Sequence, residues 1–135
     1  MMTSKFVDPF ELRLRKALDK VLPDSYDSIE NFEKFPHKIG LSILEILIEY
    51  ACKSQNIALI TLARDRIKKI PSRSLFEYLP KAAKGSICVE DEWEYRRLLE
   101  LVNEAVPQLL EAYIEQGLLS DNDEVQEAAM DFRNK

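Results

Sequence analysis

A chain of 135 residues, 46% hydrophobic and 32% charged, is long enough to close a core and too rich in apolar side chains to stay disordered. Its net charge of -5 counts against unspecific nucleic-acid binding by the molecule as a whole. Three glycines are few for strands joined by tight turns, and no alternating run sits beside a hairpin signal, so helices are expected throughout.

The N-terminus carries no apolar core of signal-peptide length, and Glu45 and Glu49 break the longest apolar stretches well short of a membrane span. The expectation is a cytoplasmic protein with no membrane partner. Cys52 and Cys88 lack metal-type spacing and are expected to remain reduced.

The first helix is predicted over 8–22. Asp8 can cap it, Pro9 suits the first helical position, Glu11 completes a capping box, and Val7 and Leu12 stand where a hydrophobic staple would sit. Pro23 stops it. An irregular arm follows over 24–37, where a short helical turn fits around 28–34 and Tyr26, Phe32 and Phe35 are expected to cover the end of the helices.

The segment 38–71 reads as a central helical hairpin. In its first helix Lys38, Ser42, Glu45, Glu49 and Lys53 fall within one arc of about 80° at the helical advance of roughly 100° per residue. Apolar side chains fill most of the remainder, so this helix is predicted to be wrapped by neighbours and to meet water along one polar seam. After a break at 54–56, Leu59, Ile60, Ala63, Ile67 and Ile70 give the return helix its inward stripe, and Pro71 ends it.

Over 72–117 the pattern predicts a short helix, capped by Ser72 and interrupted at Pro80, then a long helix from about 90 to 116. From Tyr95 to Tyr113 the apolar positions keep a three-four spacing through Pro107, which predicts a kinked continuous helix or two helices nearly end to end. Gly85 and Gly117 read as terminators. The last helix is predicted over 120–133, opened by Asp121 and Glu124 in capping-box spacing.

Two stretches resemble helical-repeat units. Residues 50–71 resemble the second half of a tetratricopeptide unit, with an aromatic in the first helix and a proline after the second. Leu47, Leu59 and Arg66 depart from that pattern where small residues belong. Residues 121–129, DNDEVQEAA, are similar to the second-helix signature of HEAT repeats. Neither stretch amounts to a family assignment. The fold expected is all-α and single-domain, with five to seven helices around a buried central helix, as a bundle or, as the repeats imply, a short stack of antiparallel hairpins.

Candidate chemistry is sparse. His37 is the only histidine, so no histidine set exists for zinc, and a solvated or capping role at a helix start is expected of it. Glu45 and Glu49 would suit a small carboxylate-based enzyme only if buried together beside a cavity; in the polar seam they are expected to be solvated. No glycine-rich phosphate loop is present, and no cofactor is expected.

Charge is uneven along the chain. Residues 64–84 hold seven cations against two acids, and residues 90–131 hold thirteen acids against two cations. Arg64, Arg66, Lys68, Lys69 and Arg73 are therefore the candidate nucleic-acid contacts, unless the two regions face each other and cancel. Trp93, Tyr95, Arg96 and Arg97, which include the only tryptophan, are the candidate contacts for another protein or a second copy, because Trp, Tyr and Arg are the side chains most often found at interface hot spots. The leading functional expectation is a non-enzymatic protein interaction or scaffold module.

Overall fold

The structure is a computed structural model that describes residues 8–134. Those residues form seven α-helices and two short 3-10 segments, with no strand among them. The helices are α1 (Pro9–Asp19), α2 (His37–Lys53), α3 (Ile57–Lys68), α4 (Ser72–Ser86), α5 (Glu92–Ala105), α6 (Leu110–Leu118) and α7 (Asp123–Arg133).

Helix starts follow local chemistry. Asp8 accepts from the backbone N–H of Phe10 at 2.9 Å, Asn56 from Leu59 at 3.0 Å, Asp91 from Glu94 at 3.1 Å and Asn122 from Glu124 at 2.9 Å. Each cap satisfies a donor that the first helical turn leaves open. Asn122, one residue beyond the expected Asp121, caps α7, and Ser72 is the first residue of α4 with no capping bond. Glu11 turns away from its capping-box position to pair with Arg15 at 2.8 Å. The Val7 end of the expected staple lies outside the described residues.

The arm between α1 and α2 contains a 3-10 helix, Ile29–Lys34. Its aromatics do cover the helix ends: Tyr26 and Phe32 are buried, and Phe32 meets Tyr78 of α4 edge-on at 5.1 Å. The Arg15 guanidinium of α1 and the Arg66 guanidinium of α3 both lie over the Tyr26 ring, at 4.2 and 4.8 Å. One phenol thus ties two helices through cation-π contacts.

Helix α2 is the hub. Ile43, Leu44, Leu47, Ile48 and Ala51 are fully buried, and α1, α3, α4 and α5 all pack on it. Lys38, Glu49 and Lys53 are exposed along the polar edge, as the arc requires. Helices α4 and α5 are consecutive in the chain, yet each lies principally on α2. That arrangement is a bundle around one helix and departs from a stack in which each hairpin touches only its neighbours.

Both prolines inside the 72–117 region behave differently from the sequence expectation. Pro80 does not break α4, which runs unbroken through it to Ser86. The carbonyl that loses its donor belongs to Phe76, an exposed residue, where water can replace the missing bond.

Pro107 splits the predicted long helix. Val106 leaves helical geometry at φ -152° and ψ 67°, in keeping with the restriction on a residue before proline, and a 3-10 turn, Pro107–Leu109, leads into α6. Helix α6 then folds back along α5, so that the Tyr95 hydroxyl near the start of α5 donates to the Tyr113 carbonyl in α6 at 2.7 Å. Helix α7 packs on both, around a second cluster of Tyr95, Leu99, Ile114, Val125, Ala128 and Ala129.

Candidate functional site

The end of α2 and the beginning of α5 come together at the surface. Lys53, Ser54 and Gln55 form one wall of a cleft of about 480 Å³, Asp91, Trp93, Glu94 and Arg97 form the other, and Cys52 also lines it. Trp93 is 68% exposed, a high value for the largest apolar side chain in the chain. Arg97, one turn further along α5, places its guanidinium 5.7 Å from the Trp93 ring centroid.

The charges in this cleft are not equally available. Asp91 is committed to capping Glu94, and the Glu94 carboxylate accepts from the backbone N–H of Cys88 at 2.8 Å. Arg97 and Lys53 have no carboxylate within ion-pair distance among the described residues. The cleft therefore offers an aromatic face, two cations without an ion pair, two carboxylates each held by a backbone N–H, and the polar groups of Ser54 and Gln55. Burial pushes the Cys52 thiol up to about 12, which keeps it protonated at neutral pH and chemically quiet.

The four expected partner contacts divide in two. Trp93 and Arg97 are at the cleft. Tyr95 is fully buried against α6 and presents nothing to a partner. Arg96 spans helices, pairing with Glu92 at 2.8 Å and with Asp131 of α7 at 3.2 Å. Tyr95 follows the apolar stripe to which it also belongs, and that membership outweighs its residue type.

The candidate nucleic-acid contacts also divide. Arg64 pairs with Glu100 and, at 3.5 Å, with Glu104; Lys68 reaches Glu104 at 3.5 Å. Arg66 lies over Tyr26 and donates to its carbonyl at 3.2 Å. Two cations of the basic segment thus meet the acids of α5, and of the five Lys68, Lys69 and Arg73 are exposed, the last two with no ion pair among the described residues.

Glu49 is exposed and Glu45 is half-buried, with a carboxylate oxygen 2.5 Å from where a β-carbon on Gly85 would stand. Neither carboxylate lines the cleft. The exposed His37 ring contacts the Tyr78 hydroxyl at 3.0 Å, a tie between α2 and α4. No group of three or more His, Cys, Asp or Glu among the described residues is placed to hold a metal ion, and no helix among them is long and apolar enough to cross a membrane.

A second surface hollow, of about 520 Å³, lies between the end of α4 and α6, with Pro80, Ala83, Ile87, Leu109 and Tyr113 among its lining. Sequence reasoning found neither hollow, because each is assembled from stretches far apart in the chain. The exposed Trp93 beside Arg97 was the one local signal of the first. No protein-family model, curated protein or solved structure shows a significant match to this chain.

Proposed function

We propose that this protein is a non-enzymatic interaction module whose partner-facing surface is the cleft between the end of α2 and the start of α5. The observation that carries the reading is Trp93, the only tryptophan, left 68% exposed over that cleft while α2 beside it is enclosed. A large aromatic ring in water forgoes a burial gain of roughly 1.5–3 kcal/mol, which a partner's surface can supply. Tryptophan and arginine next to each other are also the residue types that dominate binding energy at protein interfaces. Two unpaired thiols suit a reducing compartment such as the cytoplasm.

The test compares wild-type protein and Trp93→Ala as baits under identical conditions, with sizing of both to detect self-association. A partner or a dimer present with wild type and lost with Trp93→Ala is the expected result. Identical recovery and identical size for the two proteins would remove the basis for placing an interface here.

A further inference from the structure

Helices α3 and α5 run in parallel, because Arg64 pairs with Glu100 and, one turn further along both, Lys68 pairs with Glu104. Residues seven apart share a helix face, so two turns back from Arg64 and Glu100 the same seam reaches Ile57 and Trp93, at the starts of the two helices. Gln55, just before Ile57, already shares the cleft with Trp93. Ile57 is 69% exposed and Trp93 68%, so this end of the seam is an apolar patch open to water, whereas ion pairs close the other end.

Charge around the patch is balanced. Lys53 and Arg97 have no carboxylate within ion-pair distance among the described residues, and Asp91 and Glu94, which keep their charge while accepting from backbone N–H groups, have no cation. The neighbouring acids are engaged elsewhere: Glu92 pairs with Arg96, and Glu90 accepts from the Ser120 hydroxyl. A net charge of -5 makes two copies of the chain repel, and a patch holding two charges of each sign is a place where they do not.

The signs are also ordered along α5, with Asp91 and Glu94 early and Arg97 one turn after Glu94. Two copies of such a strip laid antiparallel across a two-fold axis set early positions against late ones, so each contact occurs twice and acid meets cation in both. A foreign surface would have to be built to match this pattern; a second copy already matches it.

This names the partner within the interaction reading, on which it rests: we infer that two copies of the chain pair across a two-fold axis, with Trp93 and Ile57 of each packed on the other and Arg97 and Lys53 of one meeting Glu94 and Asp91 of its mate. Two large apolar side chains per copy make a small centre beside the roughly 800 Å² per partner of a standard complex, so the dimer is reversible.

Sedimentation equilibrium of the full chain up to about 1 mM tests this, with Arg97→Glu, Glu94→Lys and an equimolar mixture of the two. Wild type should pass from monomer to dimer as concentration rises. Either charge reversal alone sets like charges opposite each other and should raise the dissociation constant about tenfold or more. In the mixture both crossed pairs are again opposite in sign, and dimerisation should return to about the wild-type level. Ile57→Ser, which lies outside the cleft lining, should also weaken the dimer.

Circular dichroism checks that each variant folds, and if Glu94→Lys loosens the turn at Cys88, Arg97→Glu and Lys53→Glu carry the comparison. A wild-type chain that stays monomeric throughout overturns the inference, as does a dimer that ignores Arg97→Glu or a mixture of folded variants no better than its separate components. In each of these cases a foreign partner lost with Trp93→Ala keeps the interface reading in place. That reading fails instead when size and partner recovery are both unchanged by Trp93→Ala.

Discussion

The Tyr95 hydroxyl and the α-carbon of Gly117 occupy a space with no room for one more carbon. A β-carbon built on Gly117 would fall within the Tyr95 phenol, so the glycine serves close approach here, inside the last turns of α6 and without a positive φ. Gly117→Ala must push the ring aside and break its hydrogen bond to the Tyr113 carbonyl. Overpacking a filled site typically costs about 1–3 kcal/mol, and the lost bond adds about 1 kcal/mol. A lower urea midpoint for Gly117→Ala is therefore expected. Tyr95→Phe alone should cost about 1 kcal/mol, and the two changes together should cost less than their sum because they disturb one contact. Strict additivity in the cycle would show that the two residues do not share this space.

At the scale of the element, proline shows where periodicity stops being informative. An apolar stripe records which side of a helix is buried and says nothing about whether the next helix continues or returns. The spacing from Tyr95 to Tyr113 survives Pro107 because α5 and α6 both turn their apolar side to the same core, and a hairpin does this as readily as a straight rod. The caps at Asp8 and the enclosure of α2 were legible because both follow from side chains within one or two turns. Pro80 was misread for the opposite reason. Its local cost is real, but the affected carbonyl is on an exposed residue and the buried Leu75, Leu79 and Ala82 hold the helix together. Restoring the donor should therefore stabilise α4. Pro80→Ala recovers up to about 3 kcal/mol of helix propensity and loses about 0.4–1 kcal/mol through a freer unfolded chain. A higher denaturation midpoint is expected, and a lower one would mean that the proline ring packs in a way the helix needs.

For the whole molecule, charge and burial combine to set how stability varies with pH. Burial pushes Cys52, Tyr95 and Tyr113 each up to about 12, from ordinary values of 9.0 for the thiol and 10.0 for the phenols. In the unfolded chain these groups lose their protons first, so their contribution is complete below pH 9.0 and disappears as pH rises toward 12. Urea midpoints that hold level between about pH 7 and 8.5 and fall steadily above about pH 9.5 are expected from this linkage. A midpoint unchanged at about pH 11 would mean that these groups are not held protonated by the fold. The pairing of Arg64 and Lys68 with the α5 acids belongs to the same scale: totals along the chain suggested two opposed electrical regions, and only the packing of α3 against α5 shows where they meet. The site was half legible. Trp93 and Arg97 stood out by residue type, whereas Lys53 and Gln55 joined them only once the hub helix had brought distant stretches together.

The enclosure of α2 by α1, α3, α4 and α5 positions both walls of the cleft, and amide hydrogen exchange under native conditions tests it most directly. The amides of Ile43, Leu44, Leu47 and Ile48 should exchange only through global unfolding, with protection equal to the free energy from denaturant titration. Exchange of those amides as fast as in α7 would contradict a buried hub and, with it, the geometry that brings Lys53 to Trp93.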